Sequence, residues 1–188
     1  MTPQEMRRTR LAADYNEMRA IRGPIIQWST IGGVEPHFER YLLTVKVRTI
    51  VGPAPDYSNE VRLQVDLPAG YPFSAPPIVT ALSQPLPYHP NWFPNGRWCY
   101  GTWAPQEGLG RHVIRMVRIL QFDPAITKVE SPANAPATAW WRAMLPKGLF
   151  PSDRQDLPDV TASKPKIKIV EVTRTNTTGR TGIKITPL

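Results

Sequence analysis

The chain has 188 residues, 41% of them hydrophobic and 20% charged, with a formal net charge of +8. That length and apolar content suit one compact core and exclude wholesale disorder and a coiled coil. Proline is the outlier, with 22 residues against 12 glycines; prolines spread this widely break long helices and exclude an all-helical bundle. A single cysteine, Cys99, excludes an intramolecular disulfide and a cysteine-based zinc cluster. No run of 18 apolar residues occurs, and the first ten residues are polar and arginine-rich without an apolar signal core. A soluble protein of a reducing, cytoplasmic compartment is the expectation.

The positive charge is unevenly placed. Residues 1–22 carry five arginines against three acids, residues 161–188 six cations against one acid, and the middle is close to neutral. A basic tail attracts nucleic acid or an acidic protein surface, or simply solubilises the chain.

Residues 4–21 read as a helix, with Met6, Leu11, Tyr15, Met18 and Ile21 at roughly helical spacing and Gly23-Pro24 as its end. Strand patterns follow at 25–28, 41–50 and 61–67, the last with Val61, Leu63, Val65 and Leu67 in strict alternation. Gly52-Pro53-Ala54-Pro55-Asp56 is a turn signal. Strands joined by short connections make an antiparallel meander the simplest topology. The extended, proline-rich turn Tyr71-Pro72-Phe73-Ser74-Ala75-Pro76-Pro77 leads to a fourth short strand at 78–82.

Prolines and glycines recur through residues 83–110, which predicts a long loop; its six aromatics (Tyr88, Trp92, Phe93, Trp98, Tyr100, Trp103) argue for packing rather than disorder. A long ordered loop in a compact domain is usually functional. Residues 112–122 read as a second helix with Val113, Met116, Val117 and Leu120 on one face, ended by Asp123-Pro124. A short third helix is expected at 137–145. The expected fold is α+β: a domain over 1–150 with an N-terminal helix, a four-stranded antiparallel meander, a long loop, a central helix and a reduced C-terminal helical part. A proline-containing linker and basic tail fill 151–188, where Ile167, Ile169, Val170 and Val172 suggest a short strand.

Cys99 sits in the long loop, behind Gly96-Arg97-Trp98 and eight residues after Asn91 of the run His89-Pro90-Asn91. A lone cysteine is commonly a small buried hydrophobe; one set among glycine, proline and aromatic residues in a loop can be reached from outside. Cys99 with His89 also invites a hydrolase reading, which requires the imidazole within hydrogen-bond reach of the proton it takes.

Four features of the chain together carry a resemblance. The alternating strand from Val61, the turn Tyr71 to Pro77, Tyr88-His89-Pro90-Asn91 and Asn95-Gly96-Arg97-Trp98-Cys99 resemble the catalytic core of ubiquitin-conjugating enzymes. That family shows an alternating strand, a Tyr-Pro-x-x-Pro-Pro turn, His-Pro-Asn and a reactive cysteine eight residues after the Asn; here they come in the same order, with one residue, Ser74 or Ala75, added in the turn. Trp103-Ala104-Pro105, the 112–122 helix and Asp123-Pro124 resemble the family's segment C-terminal to the cysteine, so the resemblance covers about residues 5–142.

The resemblance implies a ubiquitin-conjugating fold and a transferase that needs no metal or cofactor. Cys99 would accept a ubiquitin-like modifier from an activating enzyme as a thioester and pass it to a lysine amine. Asn91 would support the oxyanion formed as the lysine attacks, as a preorganised neutral donor can, or order the loop beside it; a plain turn residue is the alternative. His89 and Pro90 would shape the loop, and Tyr88 and Ser131 would flank the incoming lysine, which must lose its proton before attacking. Phe73, Ala104 and Pro105 resemble the two-loop patch that receives a ligase, with core packing as the alternative for Phe73. Arg7, Arg8 and Arg10 resemble the basic first-helix surface that meets the activating enzyme.

There are departures from the family pattern. Only three residues separate Cys99 from Trp103, Gly108-Leu109-Gly110 alters the approach to the second helix, and 125–130 form a small insertion before Ser131. The usual pair of C-terminal helices is reduced. This trimming resembles the compact conjugating enzymes of prokaryotic ubiquitin-like operons, whose typical companions include a JAB-type deconjugating peptidase. The second reading is a catalytically inactive adaptor of the same fold; Cys99 and Asn91 count against it, because such adaptors commonly lack the cysteine. Neither nucleic acid nor a membrane is an expected partner: only Arg97 and Arg111 lie between residues 83 and 111, so the loop aromatics are not interleaved with basic residues.

Overall fold

The computed structural model describes residues 2–150, 155–159, 168–170 and 184–186. Helix α1 spans Pro3–Ile21. The Thr2 hydroxyl accepts from the Glu5 backbone N–H and the Glu5 carboxylate accepts from that of Thr2, a reciprocal cap with proline in the first turn. Its buried residues Leu11, Asp14, Met18 and Ile21 recur at helical spacing and form one face.

Strands β1 (Ile26–Thr30), β2 (Arg40–Val45), β5 (Val61–Asp66) and β6 (Ile78–Ala81) make an antiparallel sheet in the order β1-β2-β5-β6. The register stacks apolar rows across it: Ile26, Val45 and Val61; Trp28, Leu43, Leu63 and Ala81; Tyr41, Val65 and Val79. These side chains share the inner face, as the two-residue period of a strand requires, and the Trp28 indole N–H donates to the Met18 carbonyl at 2.9 Å.

The segment 41–50, expected as one strand, is split. β2 ends at Val45, and residues 46–48 belong to no strand. The chain therefore leaves the sheet, and β3 (Thr49–Gly52) pairs with β4 (Asp56–Ser58) in a separate ribbon around the proline-rich turn.

Helix α2 spans Leu109–Leu120 and buries Leu109, Val113, Met116, Val117 and Leu120 in the same core as the sheet and α1. It begins three residues earlier than the sequence pattern suggests, because α1 supplies its cap. Asp14 accepts from the Leu109 N–H at 2.9 Å and Glu17 from the Gly110 N–H at 3.0 Å. Two carboxylates thus satisfy donors that the start of a helix leaves unpaired. A Cβ on Gly110 would stand 2.8 Å from that of Glu17, so the close approach of the two helices needs glycine there. Helix α3 (Ala135–Met144) begins at the cap residue Asn134, whose side-chain oxygen accepts from the Ala137 N–H at 3.1 Å, and runs into a 3-10 turn, Leu145–Lys147. The Trp140 indole N–H donates to the Pro53 carbonyl at 2.8 Å, seating α3 on the β3–β4 turn.

In the tail, β7 (Lys168–Val170) pairs antiparallel with β8 (Lys184–Thr186), where one short strand was expected; residues 151–154, 160–167, 171–183 and 187–188 of the expected linker and basic tail lie outside the described residues. Among the described residues no helix is long and apolar enough to cross a membrane.

Candidate active site

The loop that carries Cys99 is pinned to the free edge of β6. Trp98 N–H donates to the Val79 carbonyl at 3.0 Å and Ala81 N–H to the Gly96 carbonyl at 2.8 Å. A tight turn precedes it, with Phe93 N–H donating to the Arg97 carbonyl and Gly96 at φ 85°, in the left-handed region. The Asn95 side chain accepts from the Arg97 N–H. Cys99 emerges partly exposed from this anchored segment. Its N–H donates to the Asn91 carbonyl at 2.8 Å.

Two grooves meet at the cysteine. One, of about 360 Å³, runs between Asn91, Cys99 and Tyr100 on one side and the 124–130 segment, including Lys128 and Glu130, on the other. The second, of about 370 Å³, is lined by Phe93, Asn95, Arg97 and Gly101. An extended peptide and an approaching amine could each occupy one.

Asn91 is 4% exposed and joins both walls of the first groove. Its side-chain N–H donates to the Lys128 carbonyl at 3.2 Å and its side-chain oxygen accepts from the Lys128 N–H at 3.1 Å. This contact engages one of the two side-chain N–H donors of Asn91 in holding the opposite wall. The ring of His89 is fully buried, its Nδ1 accepts from the Asn91 N–H at 2.9 Å, and it packs on Phe122 at 4.3 Å between centroids. Burial pushes its pKa down to about 3, so the imidazole is neutral near neutral pH. Pro90 is buried, and its carbonyl accepts from Ala133 and Asn134, linking the His-Pro-Asn run to the cap of α3. Tyr88 is half-buried against Trp140, and Ser131 is exposed just past the groove's far wall.

Residues expected at partner surfaces divide. Phe73 is 63% exposed, which removes core packing as its role, and Ala104 is exposed with Pro105 half-buried. Arg8 is exposed on α1, whereas Arg7 and Arg10 turn inward. Arg7 donates to the carbonyls of Leu67, Pro68 and Tyr71 and pairs with Glu39 at 2.7 Å. Arg10 pairs with buried Asp14 at 2.9 Å and donates to the Tyr71 hydroxyl oxygen and to the carbonyls of Pro105 and Glu107. Tyr71 in turn donates to Asp14 at 2.7 Å, and Trp103 donates to the Pro72 carbonyl at 2.8 Å. The proline turn and the 103–107 loop are thereby fixed to α1. Burial raises the pKa of Asp14 above the ordinary carboxylate value, against the opposing pull of Tyr71, Arg10 and the Leu109 N–H.

Sequence reasoning missed Lys128, Asp14 and the Glu107–Arg115 pair. Glu107 accepts from Arg115 at 2.9 and 2.7 Å, while Arg115 also donates to the Tyr100 carbonyl and lies over Trp98. Asp14 had a readable signal: it lies between Leu11 and Met18 on the apolar face of a helix, where an acid needs partners. Nothing in the local pattern marked Lys128, which lies in an insertion.

No family model matches the chain. Its sequence is similar to plant ubiquitin-conjugating enzymes. It is 29% identical over 100 residues to "Ubiquitin-conjugating enzyme 15" of Arabidopsis thaliana, covering 45% of this chain and 61% of that protein. It is 25% identical over 123 residues to "Probable ubiquitin-conjugating enzyme E2 16" of the same plant, covering 57% and 73%. A third, "Probable ubiquitin-conjugating enzyme E2 17", is 33% identical over 69 residues, covering 34% and 42%. The chain thus spans about three fifths of the first relative's length.

Proposed function

We propose that the chain is a ubiquitin-conjugating type transferase that carries a ubiquitin-like modifier on Cys99 and passes it to a lysine amine. The observation that carries this reading is a partly exposed cysteine between two grooves, held through its backbone by the asparagine of a His-Pro-Asn run, in a chain similar to ubiquitin-conjugating enzymes.

In the first step the Cys99 sulfur attacks the modifier's C-terminal thioester on an activating enzyme, and that enzyme's thiolate leaves. In the second, a neutral lysine amine attacks the Cys99 thioester, a C–N bond forms, the C–S bond breaks, and Cys99 leaves as thiolate while the amine proton passes to solvent. Asn91 keeps the far wall of the groove at the spacing the amine needs, since small misplacement of reacting groups is costly in rate. Tyr88 and Ser131 border the path of the acceptor. His89, buried and neutral, supports the Asn91 backbone and takes no part in proton transfer. Phe73, Ala104 and Pro105 form a ligase-binding patch, and exposed Arg8 contributes to docking of the activating enzyme. Arg7 and Arg10 serve that docking by fixing the loops next to α1. The compact form favours a prokaryotic ubiquitin-like system with a JAB-type peptidase, in the cytoplasm.

The test is intact mass after incubation with ATP, a candidate modifier and its activating enzyme. The expected product is a reductant-sensitive adduct on the wild-type chain, none on Cys99→Ala, and a reductant-resistant ester on Cys99→Ser. An adduct of equal yield on Cys99→Ala would overturn the assignment.

A further inference from the structure

We propose that His112, Glu107 and Arg115 form a proton-sensitive clamp on the cysteine segment. Arg115 is a positioning residue that holds Cys99 through the Tyr100 carbonyl while His112 is neutral, and it lets go when His112 takes up a proton. The clamp is built from the packing around α2; its effect on transfer rests on the reading of Cys99 as a thioester carrier.

His112 lies in the first turn of α2, 0% exposed, and takes no part in the transfer steps. Trp98 and Tyr100 of the cysteine segment and Trp103 of the following loop close around its ring, with centroids at 4.8, 5.3 and 5.2 Å. Its Nδ1 faces two charged groups, the Glu107 carboxylate at 3.4 Å and the Arg115 guanidinium at 3.2 Å. A guanidinium only donates, so the Arg115 contact requires an Nδ1 free of hydrogen and puts the ring hydrogen on Nε2. Nε2 is buried with no hydrogen-bond partner among the described residues. The neutral ring is the form that this arrangement accepts.

Arg115 grips two segments at once. Its Nε and Nη2 donate to the two Glu107 oxygens at 2.9 and 2.7 Å, and its Nη1 donates to the Tyr100 carbonyl at 3.0 Å. The guanidinium is a rigid planar fork, so these bonds move together. A second ring proton sets an Nδ1–H against an Arg115 N–H and makes His112 a rival donor for the same Glu107 oxygen. The Glu107 end is anchored, because Arg10 on α1 donates to the carbonyls of Pro105 and Glu107. The start of α2 is anchored as well, by Asp14 and Glu17. What gives way is the bond to Tyr100, the residue next to Cys99.

The charged and titratable groups that face His112 are Glu107 from the loop, Arg115 from its own helix and Tyr100 from the cysteine segment. Burial works to raise the Glu107 carboxyl, but His112 and Arg115 outweigh it and hold it below its ordinary value, so it stays ionised. Burial raises the Tyr100 phenol, which stays uncharged. Burial lowers His112 below the ordinary imidazole value, against the opposing pull of Glu107. The clamp is therefore closed at neutral pH and opens in mild acid.

The experiment follows the histidine rings and the Cys99 and Tyr100 backbone amides of the full chain by NMR, from about pH 8 to about pH 5.5, where histidines titrate. The expected result is that both amide signals shift with the His112 midpoint in wild type. They should stand still in His112→Asn, whose carboxamide oxygen can accept from Arg115 without taking up a proton. Arg115→Lys keeps the charge but not the fork; His112 should still titrate there, with the two amides no longer following it. The functional arm loads Cys99 with a synthetic peptide aryl thioester and measures discharge to methoxyamine, whose nitrogen stays largely uncharged over this range. Wild-type discharge should fall about tenfold or more below the His112 midpoint, the loss expected of a misplaced reacting group, and Arg115→Lys should start at the lower rate and stay there. A His112 that takes up no proton in this range would overturn the proposal, as would one that titrates while the Cys99 and Tyr100 amides stay in place. Discharge unchanged across the midpoint would overturn it too and leave Cys99 standing as a carrier. Failure to load Cys99 would overturn the carrier reading alone, with the amide shifts still deciding the clamp.

Discussion

Asp14 and Asn91 are buried polar side chains, 1% and 4% exposed, and each ties together loops that come from distant parts of the chain. Asp14 gathers Arg10, the Tyr71 hydroxyl and the Leu109 N–H, so α1, the proline turn and α2 meet at one carboxylate. Asn91 gathers the Cys99 N–H on its backbone and the Lys128 peptide on its side chain. A charge taken out of water demands a full set of partners, and its removal leaves them stranded. A neutral amide costs less to bury and places no fixed charge beside a reacting centre. The charged hub therefore belongs to stability, and the neutral one can stand next to chemistry that makes and unmakes charge.

The sharpest way to break this contrast is Asp14→Ala. It strands Arg10 and the Tyr71 hydroxyl and should cost about 3–5 kcal/mol of unfolding free energy, read by denaturant unfolding. A loss below about 1 kcal/mol would contradict the hub. An intermediate effect is expected from His89→Asn, in which the new carboxamide oxygen can accept from the Asn91 N–H, as side chains in such turns do. The unfolded imidazole takes up a proton near pH 6.5, whereas the buried one does so only near pH 3. Between those values the unfolded chain holds the extra proton, so stability falls as pH drops. Over pH 6.5 to 5 the His89 contribution is about 2 kcal/mol at ~1.36 kcal/mol per unit. His112, also lowered by burial, acts in the same direction in both proteins. His89→Asn should flatten the pH dependence by that amount, and parallel curves would contradict it. The smallest effect on stability is expected from Asn91→Ala, which gives up two hydrogen bonds of about 1 kcal/mol each; a loss as large as that of Asp14→Ala would erase the contrast.

How far the sequence foretold this arrangement depends on the kind of interaction. Strict alternation at Val61, Leu63 and Val65 placed β5, and the apolar face of 112–122 placed α2, because period and burial are local properties. The start of α2 at Leu109 was not legible, since its cap is donated by Asp14 and Glu17 from α1. The split at 46–48 was masked by the alternation of Tyr41, Leu43, Val45 and Val47, which reads as one strand. In the site, Cys99, His89 and Asn91 were marked by their spacing, but Lys128 joins them through contacts across 37 positions. The inward turn of Arg7 and Arg10 was hidden for the same reason: their acceptors include carbonyl groups of remote loops.

The central claim is that Cys99 carries the modifier and that Asn91 serves the transfer. The most direct measurement charges Cys99 with modifier, quenches the activating enzyme, and tracks loss of the thioester to free lysine in wild type and Asn91→Ala. The account predicts equal loading and discharge slowed about 10- to 100-fold, as expected for a misplaced reacting group. Loading and discharge reduced by the same factor would make Asn91 a folding residue alone, and an adduct that survives reductant on the wild-type cysteine would contradict the thioester itself.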